Sequence, residues 1–515
     1  MLKQMPQERR MSGHFTLATS GTTMRNLARN LPLQVLAMAS LFTAAAVYEA
    51  FHLSALAGVS VWSHLRTGIW ILQNHAVPHN GIFSQYPDLP WMARSWGFDV
   101  LLAAAYQSMG LRALPLLLMA FRVILALTLF WSARGSRQNL WPTALLAAVA
   151  QYAIPDLQLQ PALCSILLLA VELALLFHAR RNGNPGQLLW LPLLFAFWAN
   201  LDIHFVYGLP VLVMFLAAIV MEEICRRIGV GWLESNGPAM PLGMVGAVTA
   251  ASLIATLLTP YTYHVYGVLP TVFGVSALYP YLPELHALGF RRPQDFVLLT
   301  LTMTAFFSLG RRHSRNIFKL ALMIASAMLS FRSQRDCWVV AVVSVAVIAD
   351  ALALDHAEPV QRTTVPLWRS ENLATAALVL LILLVAVTGR IPSSRQTLLS
   401  DVGKTLPVAA CDYIRQNHLP GPLFNGYEWG GFLTWYLPEY PVVIDARNDL
   451  YGEEVSVRYF RLTHAEIPLS ADFHFVYADT ILLQRNSPMA VALSAVPRFT
   501  VAYKDDVAMV LLPGR

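Results

Sequence analysis

From residue 31 onward the chain alternates long apolar runs with short polar connections. The runs lie near 31–51, 113–133, 140–155, 161–179, 187–200, 203–221, 240–259, 295–310, 316–331, 337–353 and 372–389. Since about 17–25 apolar residues suffice to cross a bilayer, this pattern predicts an all-α membrane bundle of about 11 transmembrane helices. Two stretches break the rhythm. In VWSHLRTGIWIL (61–72), Trp62, Leu65, Ile69 and Leu72 recur at helical spacing, while His64, Thr67 and the following Gln73 fall elsewhere on the wheel. GFDVLLAAAYQSM (97–109) is too short to cross alone. Both predict amphipathic helices lying at the membrane interface.

Composition agrees with a membrane setting. The 515 residues are 56% hydrophobic and 13% charged, with a mean hydropathy of +0.51, whereas soluble chains carry about 25% charge. Lys and Arg then set the sidedness. With the N-terminus cytoplasmic, the inner loops hold 17 of them and the outer short loops 7, the asymmetry that positive-inside topology demands. On this reading residues 1–30 are a basic cytoplasmic N-terminus leading into a retained first span. Residues 31–389 form the transmembrane domain, with a large outer loop over 52–112, and an odd number of spans leaves 390–515 outside. The net charge of +6 thus follows loop topology and gives no reason to expect nucleic acid. Four isolated cysteines form no CxxC pair, so neither a zinc site nor a disulfide framework is indicated.

The last 126 residues change character, carrying 11 basic and 13 acidic side chains. Helix near 406–417, strand 422–425, an apolar segment 431–437, strand 441–446 (PVVIDA), helix 453–464, strand 480–484, helix 488–496 and a hairpin of 499–503 with 507–512 predict a small α/β domain. In VIDARND, Asp445, Arg447 and Asp449 follow the end of a strand, where α/β folds often place sites; the favoured expectation is that the two carboxylates clamp Arg447 and cap the next helix. No Gly-rich phosphate loop, HExxH or GxSxG occurs, which removes nucleotide hydrolysis, metalloprotease and α/β-hydrolase chemistry.

Polar residues then gather at the outer ends of the spans. His64, Arg66, Arg94 and Asp99 follow the first run, and Asp156 ends the third. Asn200, Asp202 and His204 form the hairpin FWANLDIHF; Tyr261 and Glu284 sit in the loop after the seventh run; Arg332, Arg335 and Asp336 close the ninth. Charge at membrane depth is costly and tends to face a cavity, so a shared outward hollow is the expectation. Arg122 lies inside the second span, where it is expected to snorkel or to meet a carboxylate.

The order of parts, together with VWSHLRTGIWILQNHAVPHNGIFS, PWMARSWGFDVLLAAAY, QPALCSILLLAVEL, WANLDIHFVYGL, TPYTYHVY and NGYEWGGFLTWYLPEYPVVIDARNDLYG, resembles the GT-C superfamily of membrane glycosyltransferases, in particular an uncharacterised bacterial branch. The resemblance implies a GT-C-like bundle with the C-terminal α/β domain extracytoplasmic, in a bacterial inner membrane. It also implies transfer of a sugar from a polyprenyl-phosphate-linked donor to a glycan, lipid or protein acceptor at the outer face. Departures from the family's pattern are specific. Its first-loop carboxylates fall on Ser60, Gly81 and Ser95, and serine is no base at neutral pH without help. The remaining catalytic candidates are Asp99, Asp202, His204 and His64, with Arg332, Arg335 and Arg66 for the donor phosphate and Glu284 and Tyr261 as further cavity residues. No metal ligand set or cofactor is indicated. A catalytically silent relative, serving as a binding or assembly partner in envelope glycan synthesis, and a lipid or glycan transporter are the alternatives.

Overall fold

The computed structural model describes residues 52–133, 140–154, 157–229, 238, 240–267, 269–270, 274, 276–311, 315–355, 381, 383 and 385–514. The first expected run, the basic N-terminus, Asp156 and most of the last run lie outside the described residues. Nine of the expected runs coincide with helices: α3 (Ala113–Ala133), α4 (Leu140–Ala153), α5 (Ala162–Asn182), α6 (Leu191–Leu201), α7 (Phe205–Ile228), α8 (Leu242–Ala255), α9 (Pro293–Arg311), α10 (Ile317–Arg332) and α11 (Cys337–Asp355). Among the described residues, three stretches are long and apolar enough to cross a membrane by length and composition. They are Trp96–Ser132, Ala162–Asn182 and Phe205–Ile228. Arg122 Nη2 donates to the Leu157 carbonyl at 3.0 Å and to Ser54 Oγ at 3.4 Å.

The two interrupting stretches are helices, α1 (Val61–Asn74) and α2 (Trp96–Met109). Their setting corrects the expectation that they lie on lipid. Trp62 and Leu65 of α1 and Leu102 and Ala103 of α2 are wholly buried in protein, where each large side chain contributes about 1.5–3 kcal/mol. The α1–α2 crossing is close because position 68 has no side chain; a Cβ on Gly68 would stand 1.9 Å from the Asp99 carbonyl oxygen. α2 ends at Gly110 (φ +63°), where the chain turns into α3.

The C-terminal segment forms α12 (Arg395–Val402), α13 (Val408–Gln416), β1 (Leu423–Asn425), α14 (Gly430–Tyr436), α15 (Asn448–Thr463), β2 (Thr480–Gln484), α16 (Pro488–Ser494), β3 (Phe499–Lys504) and β4 (Ala508–Pro513). Its sheet runs β1-β2-β4-β3, with β1 and β2 parallel and the other pairings antiparallel. PVVIDA does not join that sheet. Val442 instead bridges in parallel to Ser84 of the outer loop, donating its N–H to the Phe83 carbonyl at 3.0 Å and accepting from Gln85 N at 2.9 Å. The outer loop has taken the place of a strand neighbour.

Packing therefore ignores the compositional break near 390. One hydrophobic cluster runs from the membrane helices through Trp62 into Phe432 and Leu433 of α14, and a second joins Trp91, Leu278 and Leu282 to Phe424, Phe460 and Ile481. Trp62 meets Phe432 edge-on at 5.3 Å and Trp435 at 4.7 Å. In this geometry the outer loop and the C-terminal segment form one continuous wall, and between that wall and the helix ends a hollow remains.

Candidate active site

The hollow measures about 460 Å³, within the range of small-molecule sites and large enough for one or two sugar rings. α1 contributes His64, the approach to α2 contributes Arg94 and Ser95, and the α6–α7 hairpin contributes Asp202 and His204. The loop before α9 gives Glu284, the turn between α10 and α11 gives Arg335, and the C-terminal segment gives Tyr427, Glu428, Asn448 and Asp449.

Two imidazole–carboxylate pairs stand in its walls. His64 Nδ1 lies 2.7 Å from Asp99 Oδ1. The imidazole keeps 26% of its surface while Asp99 keeps 3%, so Asp99 backs His64 and His64 is the member that opens to the hollow. In the second pair His204 Nδ1 lies 2.8 Å from Asp202 Oδ2. The same oxygen accepts from Ser165 Oγ at 2.6 Å, and Ser165 in turn accepts from Trp198 Nε1 at 2.7 Å. Ser165 and Trp198 are fully buried. Asp202 closes α6 in an extended conformation (φ −163°, ψ 146°), which ends the helix and turns the carboxylate toward α5. Burial pushes its pKa up, but His204, the Ser165 hydroxyl and the field of Arg94 together hold it below the ordinary aspartate value. An ionised Asp202 accepts from Nδ1–H, which assigns the basic lone pair of His204 to Nε2.

The cationic side of the hollow is Arg335 and Arg94. Arg335 pairs with Asp336 at 3.5 Å, and Asp336 accepts from the Tyr207 hydroxyl at 2.8 Å. Arg94 is gripped from the C-terminal segment: Nη2 is 2.9 Å from Asp449 Oδ1, Nε is 3.1 Å from Oδ2, and Trp91 Nε1 donates to that same Oδ2 at 3.0 Å. Glu284 lines the wall beside them; surrounding protein pushes its carboxyl above the usual range, with Arg335 opposing.

The other candidates are placed elsewhere. Arg332 is exposed at the end of α10 and does not line the hollow; the extended Ser333 (φ −140°, ψ 129°) ends the helix and redirects the chain before Arg335. Arg66, two residues past His64, is on another side of α1 and lies over the Phe83 ring at 4.8 Å. Tyr261 is buried, accepting from Ala93 N and donating to the Pro78 carbonyl, both at 3.0 Å. It braces the loop that carries Arg94. Ser60 and Ser95 do line the hollow, at two of the positions where the resemblance led one to expect carboxylates; Gly81 does not, and a Cβ there would meet the Tyr86 carbonyl oxygen at 2.3 Å. Among the described residues no group of three or more His, Cys, Asp or Glu gathers to hold a metal ion.

VIDARND is also resolved differently. Asp445 alone clamps Arg447, through Nε at 2.9 and 3.0 Å and Nη2 at 2.7 Å. Neither carboxylate caps α15. Asp449 reaches Arg94 instead.

No family model matches the sequence, and no curated protein matches it. Solved structures do. The oligosaccharyltransferase of Archaeoglobus fulgidus, tethered with an acceptor peptide containing an NVT sequon, is similar over 94% of this chain and 74% of its own, with a TM-score of 0.50 and 11% identity. The same archaeal enzyme, AglB, in complex with an inhibitory peptide and a dolichol-phosphate, matches over 89% of this chain and 70% of its own, again at 0.50 and 11%.

The fold is the GT-C fold.

At 11% identity the similarity concerns architecture and carries no residue roles. ArnT from Cupriavidus metallidurans, bound to undecaprenyl phosphate, aligns over 92% of this chain and 97% of its own with 13% identity, but its TM-score of 0.44 is too low to bear on the fold. Within the GT-C fold of this chain, sequence patterns missed Ser165 and Trp198 as site residues and favoured a structural role for Asp449 over a site role. Ser165 and Trp198 sit in apolar runs and read as span residues. Asp449 is 355 positions from Arg94, a separation that no local pattern bridges.

Proposed function

We propose that this chain is an integral membrane glycosyltransferase, transferring a sugar from a polyprenyl-phosphate-linked donor to a hydroxyl-bearing acceptor at the extracytoplasmic face. The observation that carries the reading is the Asp202–His204 pair at 2.8 Å, in one hollow with Arg94 and Arg335. In such a transfer the acceptor oxygen forms a bond to the anomeric carbon. The bond from that carbon to the phosphate oxygen breaks, and the phosphate leaves with the electron pair. His204 takes the acceptor proton at Nε2, an atom that the protein covers in this structure and that has to be uncovered for the acceptor to reach it, with Asp202 stabilising the imidazolium that results. His64, backed by Asp99, is a second imidazole able to hold the acceptor or to serve the leaving group. Arg94 and Arg335 suit the phosphate, since guanidinium pairs with it in two hydrogen bonds.

The outward orientation of the hollow rests on the charge asymmetry of the loops. Ser60 and Ser95 at the wall favour the rival reading, a catalytically silent relative that binds the carrier without turning it over. The two separate in one assay. Purified protein in detergent is given undecaprenyl-phosphate-linked sugars, and release of undecaprenyl phosphate is followed. Release that disappears in Asp202→Asn supports the transferase; binding of undecaprenyl phosphate with no release from any donor supports the silent relative.

A further inference from the structure

The hollow has two chemically different walls. One part of the lining holds His64, His204, Arg94 and Arg335. The side built mainly by the C-terminal segment is aromatic and carries amide and carboxylate groups. There Tyr281 stacks on Phe460 with centroids 5.3 Å apart and planes 7° from parallel, and Tyr427 packs on the same ring at 5.1 Å. The Tyr427 hydroxyl lies 3.1 Å from Asn448 Nδ2 and 3.2 Å from its Oδ1, and the Tyr281 hydroxyl donates to Glu466 at 2.9 Å. Phe460 is buried beneath both tyrosines, so the platform is held before any ligand arrives. Glu428, exposed, completes the rim.

We infer that this wall binds a saccharide ring of the acceptor; the inference rests on the transferase reading and narrows its acceptor class. A pyranose has an apolar C–H face and an edge of adjacent hydroxyls. The first suits an aromatic surface. The second needs side chains that donate and accept side by side, as the Asn448 amide, with four hydrogen-bonding positions, and Glu428 do. A peptide would call for strand-like backbone partners, and the polyprenyl chain for a continuous apolar channel; this wall offers neither. The donor phosphate, tethered to the bilayer, belongs with the arginines. The aromatic part of the lining is left for a ring entering from water, and a 460 Å³ hollow has room for both.

The test measures binding to the full-length protein in detergent by calorimetry. Its probes are neutral disaccharides of glucose, mannose and N-acetylglucosamine, and the tripeptide Asn-Val-Thr. At least one disaccharide is expected to bind, with affinity reduced tenfold or more in Asn448→Ala and in Glu428→Gln. Glu428→Gln is an exposed, isosteric change, so it keeps the question answerable if Asn448→Ala unfolds. Absence of binding by every disaccharide, equal binding by parent and both variants, or binding of the tripeptide alone overturns the inference. So does a rise in donor KM in these variants with no saccharide bound. Saccharide binding without donor release would instead sink the transferase reading and leave this wall's assignment standing; donor release without saccharide binding does the reverse.

Discussion

The two imidazole–carboxylate pairs look alike in sequence, each a His and an Asp near the end of an apolar run, and the structure separates them. In the first pair the carboxylate is the hidden member: Asp99 is buried behind His64, on a helix whose distance from α1 is set by Gly68. In the second pair both residues line the hollow, and the carboxylate extends inward through Ser165 to Trp198. The difference teaches that a carboxylate's neighbours decide its task. Asp99 bonds one imidazole and otherwise feels only the more distant Arg94 and Arg447, whereas Asp202 accepts from both His204 and Ser165 and is held ionised, as a partner of a proton-accepting histidine must be.

The sharpest way to break this comparison is to neutralise each carboxylate in turn. Asp202→Asn should lower donor release by about 10²–10⁴-fold, the usual worth of a general base. Asp99→Asn, acting only through His64, should cost less. Rates that rank the other way would reverse the roles assigned to the pairs.

Next in size is the α1–α2 crossing. Gly68→Ala forces a methyl into the Asp99 carbonyl and should destabilise the protein by about 1–3 kcal/mol, lowering its thermal midpoint in detergent. Gly246→Ala on α8, where a Cβ meets nothing within 4 Å, is the control. Equal midpoints would show that the crossing is not set by that contact.

A smaller effect is expected at the C-terminal end of the comparison. Asp449→Asn keeps an acceptor for Trp91 but loses the charge that grips Arg94, so binding of undecaprenyl phosphate should weaken by about threefold to tenfold, the scale of one ordinary hydrogen bond. Unchanged binding would mean that Arg94 is held without Asp449.

The smallest signal is a pH dependence. Because the Asp202 pKa is lowered on folding, its ionised form contributes stability above the unfolded value, about 3.9, and that contribution is lost as pH falls through the lower folded value. The midpoint difference between the parent and Asp202→Asn should therefore hold steady near neutrality and shrink below about pH 4. A difference that grows on acidification would contradict the sign of the shift.

Much of the architecture was legible along the chain, for a physical reason. A span must satisfy its backbone internally and present apolar side chains to lipid, so nine helices appear where nine apolar runs stand. β2 and the closing hairpin also emerge at their expected places, because alternation and turn residues are local. The departures are all long-range. PVVIDA has the composition of a strand, yet its hydrogen bonds go to the outer loop at Ser84. α1 has the face of an interfacial helix, yet α14 covers it with Phe432 and Trp435.

The site divides the same way. Residue types with acid–base or anion-binding chemistry could be read from the chain, and His64, Asp202, His204, Glu284 and Arg335 do converge on one hollow. Of their partners, only the local pairing of Asp202 with His204 is within reach of the sequence; those from distant segments are not. Whether a given Arg pairs with a carboxylate 355 positions away, as Arg94 does with Asp449, or faces outward, as Arg332 does, depends on how helix rotation and loop packing aim each side chain. Hydrophobic periodicity specifies which segments become helices because it is written residue by residue; the meeting of side chains from six segments is settled only when those helices pack.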